Sequence, residues 1–476
     1  MVFNSLTFAL FFIPVYALYL VLPRKWQNVL LLLASYLFYS FWDWRFLSII
    51  WLSTAINFLS GRAIGQIEGD RRRKRALAAC IALNLVILGI FKYFNFFADS
   101  LQIFLWAVGI HAGRTTLQVI LPLGISFYTF QAMTYPIDIY RRVIPPEKRW
   151  GDFALFVAFF PNLVAGPIER ARNMLPQIAR QRRVASGDFA AGAWLIFWGL
   201  FKKIVVADNL AAITAIAFDP TGVVAGATAL VSMFAFAFQV YADFSGYSDM
   251  ARGLARLMGF TVMQNFRTPF FASNLYDLWQ RWHISLTTWI KEYVYYPLAL
   301  ARFGGRQLAA PAVVILTWAI MGFWHGAEWR FVVWGVYHGV LIVLYNRMRP
   351  FLYWVRPRSG IARGAWGALG AATVFTLFSA GLLFFAVDSV KGVGAVLFNI
   401  AAGFLRGLPL DGNLVSYVLP FILPIIALES FQFAKDDELA VFRLPAIVQA
   451  AAYFAVFYYL VLAGSFNAKA YYYFQF

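Results

Sequence analysis

Runs of predominantly apolar residues, each close to the length of a bilayer-crossing helix, recur at both ends of the chain, near residues 4–22, 27–43, 45–60, 76–97, 365–387, 414–432 and 442–463. An α-helix advances about 1.5 Å per residue, so about 20 such residues cross a hydrocarbon core about 30 Å thick. Water could not accommodate these runs. Only 13% of the 476 residues are charged, against about 25% in an ordinary soluble domain. Fifty Phe, 24 Tyr and 17 Trp suit helices whose ends sit at two lipid–water interfaces. The expectation is an all-α polytopic membrane protein that crosses the bilayer about ten times or more.

The formal net charge of +18 comes from short basic clusters between the runs, not from a basic domain or tail. It therefore reads as membrane topology, and no nucleic-acid partner is expected. Arg24 and Lys25 follow the first run and GDRRRKR (Gly69–Arg75) follows the third, so both loops share one face. The positive-inside rule makes that face cytoplasmic and places the N-terminus outside. Arginines at 347, 349, 356, 358 and 363, a Gly/Pro-rich external excursion after the 365–387 run, and the charged loop AKDDELAVFR put the C-terminal tail outside as well. No basic residue precedes the first run and no small-residue cleavage site follows it, as expected of a retained span. The single cysteine, Cys80, lies in AACIALNLVILGIF. That leaves no disulfide framework and no paired-cysteine metal site, and apolar surroundings keep a thiol inert.

The middle of the chain is less regular. Residues 117–180 and 190–300 mix apolar runs with Lys202, Lys203, Asp208, Asp243, Asp249 and several arginines. Polar backbone at membrane depth persists only where protein or a water-filled cavity surrounds it, so the site is expected here. Of the four histidines, His111 sits in the connector GIHAGRTT and reads as a solvated loop residue. His325, in TWAIMGFWHGAEWR, falls inside Gly322-x-x-x-Gly326, a spacing that lets another helix approach closely. An ionisable residue there is either functional or a hydrogen-bonding strut between helices. His283 lies among Arg281, Trp282, Ser285, Thr287, Thr288 and Trp289, and an interfacial amphipathic segment explains that composition as well as a site does. On one continuous helix His338 would point about 220° from His325, which favours a structural role. Asp243 and Asp249, in YADFSGYSD, make a weak metal site without a nearby histidine and suit helix packing, so no metal is expected. Walker, Rossmann, G-x-S-x-G and H-E-x-x-H patterns do not occur in the sequence.

Five segments, in order, resemble the membrane-bound O-acyltransferases and, within them, the alginate O-acetyltransferase branch. They are LPLGISFYTFQAMTYPIDIYRR from Leu121, FVAFFPNLVAGPIERARNMLPQI from Phe156, YADFSGYSDMARGLARLMGF from Tyr241, LWQRWHISLTTWIKEYVYYPL from Leu278 and MGFWHGAEWRFVVWGVYHG from Met321. The resemblance implies a ring of about 10 to 13 tilted and re-entrant helices around a thinned central funnel. It also implies one domain over 1–476, with N-terminal helices (1–115), a catalytic core (116–345) and C-terminal helices with an external tail (346–476). The two signature histidines of the family fall on His283 and His325, and not on His338.

The resemblance further implies transfer of an acyl group from a thioester to a hydroxyl, with His325 as general base. His283 would orient the acceptor or steady the oxyanion with Trp282 or Ser285, and Arg281, Trp324, Asp243 and Ser245 would line the site. No bound cofactor is expected, and acetyl-CoA is the implied donor, with Arg170 and Arg172 meeting its phosphates. The C-terminal NAKAYYYFQF is similar to the aromatic ending of polysaccharide-acetylating members, in which Tyr473 would relay the acyl group as an ester. An ordinary interfacial aromatic cluster is the plainer reading of that tail. The implied partners are membrane lipid and periplasmic polysaccharide acetyltransferases, at a bacterial inner membrane. The alternatives are D-alanyl transfer from a phosphopantetheine carrier protein and non-catalytic transport of an acylated intermediate.

Overall fold

The computed structural model describes residues 1–476 apart from 112, 114, 115, 118, 119, 219–225, 408–411, 467–470 and 473–476. Among the described residues regular structure is helical, apart from the two-residue strands Arg302–Phe303 and Arg306–Gln307, which pair antiparallel. Eight helical stretches among the described residues are long and apolar enough to cross a membrane: Arg24–Gln66, Asp70–Ala107, Ser186–Ala217, Gly226–Leu257, Trp329–Trp354, Gly360–Ala386, Gly412–Lys435 and Ala446–Ala463. Leu6–Val21, Ala310–His325 and Val390–Leu405 are apolar but shorter. Leu6, Trp44, Ile361 and Leu405 turn outward almost fully exposed, a pattern that belongs in lipid and not in water. The chain is an all-α, multi-spanning membrane protein.

Two boundaries differ from the sequence reading. The helix Asp70–Leu88 begins inside the basic run, so Arg71–Arg75 form its first turns and not a loop. Gly69, at φ +88°, breaks the chain there, Asp70 suits the positive end of the helix dipole, and Arg and Lys are good helix formers. The expected Gly/Pro-rich excursion contains the helix Val390–Leu405, capped by the Ser389 hydroxyl accepting from the Gly392 N–H at 3.0 Å.

The chain folds as two compact units. The first, Met1–Ile196 with Ser248–Met263, has the helix Ile125–Tyr140 buried along nearly its whole length, and the Phe8, Phe11, Phe38 and Phe160 rings cluster around Phe160 within 6.3 Å. Cys80 is buried there, its sulfur 3.6 Å from Asn57 Oδ1. Arg170 is buried too, donating to the Ile168 carbonyl at 2.6 Å, so it does not sit at an open mouth as expected. Arg172 is part-exposed and 3.8 Å from Asp138. His111 is exposed, as its loop context suggests. The second unit, Phe197–Tyr247 with Gln264–Phe476, contains His283, His325, His338 and Asp243.

Candidate active site

The site begins with glycines. The helices Ala310–His325 and Trp329–Trp354 form an antiparallel hairpin whose backbones touch. A Cβ on Gly322 would lie 3.0 Å from the Phe331 carbonyl carbon, one on Gly335 would lie 2.8 Å from that of Trp318, and one on Gly339 would lie 2.9 Å from Ile315 Cα. Gly322 thus serves the close approach its spacing suggests. Its counterparts Gly335 and Gly339 repeat that spacing on the facing helix. Gly326 ends the first helix under the Phe331 ring. His325, the last residue of that helix, is 7% exposed. Its imidazole packs edge-on against Trp324 (5.0 Å between ring centres), Trp334 (5.0 Å) and Phe385 (5.4 Å).

His283 is held differently. It stands between the short helices Leu275–Arg281 and Ile284–Ile290, at φ +43°. A left-handed backbone at a non-glycine residue costs about 1–3 kcal/mol and persists only where its surroundings enforce it. Asn265 supplies that enforcement: its carbonyl accepts from the Ile284 N–H at 2.9 Å and its Oδ1 from the Ser285 N–H at 3.3 Å. The carbonyl of His283 itself accepts from the Thr287 N–H at 2.9 Å. The imidazole is 1% exposed and meets Phe244 edge-on at 4.7 Å.

The two histidines face one another across 6.4 Å between ring centres, with Trp324 6.2 Å from His283. An oxygen hydrogen-bonded to both rings at about 2.8 Å needs nitrogens between about 4.6 and 5.6 Å apart, according to the angle at the oxygen. Ring centres 6.4 Å apart allow two ring nitrogens to come within that reach, so the pair is close enough to address one substrate oxygen or two neighbouring ones. Ser285 and Ser245 are both fully buried, Ser285 two residues after the left-handed His283.

The other expected residues have their own contacts. Trp282 packs against Phe378 (4.6 Å), Phe266 (5.1 Å) and Tyr241 (5.9 Å). With Trp279 and Trp289 it is buried, which disposes of the amphipathic surface reading of this segment. Arg281 is part-exposed, bonded to Asp277 at 2.6 Å, with its guanidinium 5.3 Å from the Phe433 ring. His338 is buried among Trp279, Trp334 and Tyr337, each 5.0 Å away, and shares Trp334 with His325. Its separation from His325 comes from the hairpin turn at 326–328, not from a phase difference along one helix.

Asp243 belongs to a buried ionic cluster. Lys203 Nζ donates to Asp243 Oδ1 at 2.8 Å and to Asp208 Oδ1 at 2.9 Å, and all three residues are buried. The segment Phe201–Ala207 winds as a π-helix, a local widening often found at functional sites. Gly246 lets the Asp243 helix approach: a Cβ there would lie 2.7 Å from the Gly199 carbonyl oxygen and 3.2 Å from the Lys203 nitrogen. Asp243 Oδ2 accepts from the Tyr472 N–H at 2.8 Å. Lys203 Nζ lies 4.4 Å from the centre of the Tyr471 ring, which meets Tyr247 edge-on at 4.9 Å. In this tail, beyond the last helix, burial pushes the Tyr472 hydroxyl up to about 12, and burial with Asp243 beside it holds that of Tyr471 well above its usual range. Both tyrosines are therefore neutral phenols. Tyr473 lies outside the described residues.

Residues 151–384, which carry both histidines, match the model of the membrane-bound O-acyltransferase family. The chain is 40% identical to the probable alginate O-acetylase AlgI of Azotobacter vinelandii over 73% of its length and 69% of that protein's. It is 38% identical to the probable alginate O-acetylase AlgI of Pseudomonas syringae pv. tomato, over 72% of its length and 66% of that protein's. It is 34% identical to a peptidoglycan O-acetyltransferase of Helicobacter pylori, over 73% and 70% respectively. On these matches the chain belongs to the membrane-bound O-acyltransferase family.

Proposed function

We propose that the protein carries an acetyl group from cytoplasmic acetyl-CoA to a hydroxyl at the outer face of a bacterial inner membrane, for O-acetylation of an extracellular polysaccharide. The observation that carries the chemistry is the pair of buried imidazoles 6.4 Å apart. Resemblance to alginate and peptidoglycan O-acetylating proteins supports acetyl as the group and a polysaccharide as its destination. The exposed basic residues Arg71, Arg72, Lys74 and Arg75 face the cytoplasm in this reading, and both termini face the periplasm.

In the reaction, the acceptor oxygen attacks the thioester carbonyl carbon while neutral His325 takes the hydroxyl proton. His283 donates to the oxygen on which negative charge develops, where a water-excluded setting makes one donor worth several kcal/mol. As the intermediate collapses the carbon–sulfur bond breaks, and His325 returns its proton to the thiolate. The products are an O-acetyl ester and free CoA-SH. Ser285, Ser245 and Trp324 line the pocket, and Asp243 acts from the ionic cluster beyond it. Tyr473 serves as an intermediate acceptor before a periplasmic acetyltransferase takes the group on.

The test uses the full-length protein in nanodiscs with acetyl-CoA labelled in the acetyl group, following CoA release and the position of the label by peptide mass analysis. Label in ester linkage at the C-terminal tyrosines, with stoichiometric CoA release, is the expected result. No CoA release from acetyl-CoA, together with labelling from a D-alanyl carrier protein, would move the donor assignment to the carrier.

A further inference from the structure

We propose that Lys203, with Asp208 and Asp243, forms a dock for the chain's own C-terminal tail, and that Tyr471 is its anchor, a positioning residue that holds the tail beside His325. The positioning role rests on the proposed reading of His325 as base and a tail hydroxyl as acceptor. The dock itself does not.

Ionisable side chains buried among membrane helices are costly and are kept where they do something. Here the Lys203 ammonium is shared by two carboxylates, and the tail adds contacts to the cation and to one of them. The Tyr472 N–H donates to Asp243 Oδ2, and the face of the Tyr471 ring covers the Lys203 ammonium. A cation over an aromatic face gains most where water is excluded, as it is around Tyr471, which is 1% exposed. The Tyr472 side chain then runs from the dock toward the histidine. Its hydroxyl donates to the Phe385 carbonyl at 2.9 Å, and the Phe385 ring lies 5.4 Å from that of His325. Two consecutive tail residues thus link the ionic cluster to a direct neighbour of the catalytic imidazole. Both spend their contacts on holding the tail, which leaves the reaction to a residue further along it.

The experiment is placed on the tail, because Lys203→Met would strip two buried carboxylates of their cation and damage the fold itself. Full-length wild type, Tyr471→Phe, Tyr471→Ala and Tyr473→Phe are compared in nanodiscs by amide hydrogen exchange of the C-terminal peptide and by acetyl-ester formation from acetyl-CoA. Tyr471→Phe keeps the ring on Lys203 and should match wild type in both. Tyr471→Ala should exchange the Tyr472 amide about 30-fold faster, the equivalent of about 2 kcal/mol for a desolvated cation–π contact at about 1.4 kcal/mol per tenfold. It should also form ester at least about tenfold more slowly. Tyr473→Phe should stay as protected as wild type and form no ester. Unchanged exchange in Tyr471→Ala overturns the dock, whatever happens to acetylation. Faster exchange with ester formed at the wild-type rate overturns the positioning role. A protected wild-type tail, released by Tyr471→Ala but never esterified, supports the dock and overturns the tail as acceptor.

Discussion

Gly335→Ala adds one methyl group at the tightest point of the hairpin that carries His325. The new carbon would sit 2.8 Å from the Trp318 carbonyl carbon and 3.1 Å from Ala319 Cα. Both are backbone atoms of the facing helix, so no rotamer change relieves the overlap. The Trp318 carbonyl oxygen lies closer still to the new carbon, and restoring ordinary contact requires the helices to part by about 1 Å. Trp334, the residue before Gly335, packs on His325, so the parting moves an indole away from the imidazole it orients. Overpacking of this kind costs about 1–3 kcal/mol of stability, and a displacement near 1 Å at a reacting group costs up to about 100-fold in rate. Gly335→Ala should therefore lower acetyl-CoA turnover between about 10- and 100-fold, with the protein still inserted and folded. Gly394→Ala is the control, since a Cβ there meets nothing within 4 Å. The assay is single-turnover CoA release in nanodiscs beside a thermal melt of both variants. Full activity with an unchanged melt in Gly335→Ala would refute the argument that glycine packing sets the position of His325.

Three further outcomes are expected. Asn265→Ala removes the side-chain acceptor that holds the Ser285 N–H after the left-handed turn at His283. It should lower kcat by about tenfold or more with little change in the KM for acetyl-CoA, read from steady-state kinetics. His338→Leu should leave turnover within about threefold of wild type and the melt unchanged or higher. Both ring nitrogens of His338 are buried without a hydrogen-bond partner among the described residues, and such groups cost about 1–3 kcal/mol each to desolvate. Asp208→Asn keeps an acceptor for Lys203 but removes a charge from the ionic cluster, so it should be tolerated far better than Asp208→Leu, as judged by the yield of folded protein from membranes.

The terminal helices were legible because length and apolarity decide them. What the sequence misplaced was short and local. The turns of helix at Arg71–Arg75 depend on Gly69, and the Val390–Leu405 helix on the Ser389 cap. His283 and His325 were visible through family motifs, since neither periodicity nor composition says that a left-handed turn and a helix end meet. The Lys203 cluster was hidden by geometry. On an α-helix, residues five apart point about 140° from each other, so Lys203 and Asp208 do not register as a pair. The π-helical winding of Phe201–Ala207 brings them to 2.9 Å. Gly335 and Gly339 repeat the Gly322–Gly326 spacing, and that repeat on a following apolar run was the signal available for the hairpin.

In the proposed mechanism His325 takes the proton of the acceptor hydroxyl while His283 serves the same reaction from the other side. The direct measurement is pre-steady-state acetyl transfer from acetyl-CoA by wild type, His325→Ala, His283→Ala and the double variant, in nanodiscs and at matched folded protein. Loss of a positioned general base costs about 10²- to 10⁴-fold. His325→Ala should fall in that range, His283→Ala should fall by about 10²-fold or more, and the double variant should lose less than the product of the two, as residues acting as a unit do. Transfer in His325→Ala within a few-fold of wild type would contradict the claim and return His325 to the role of a strut between helices.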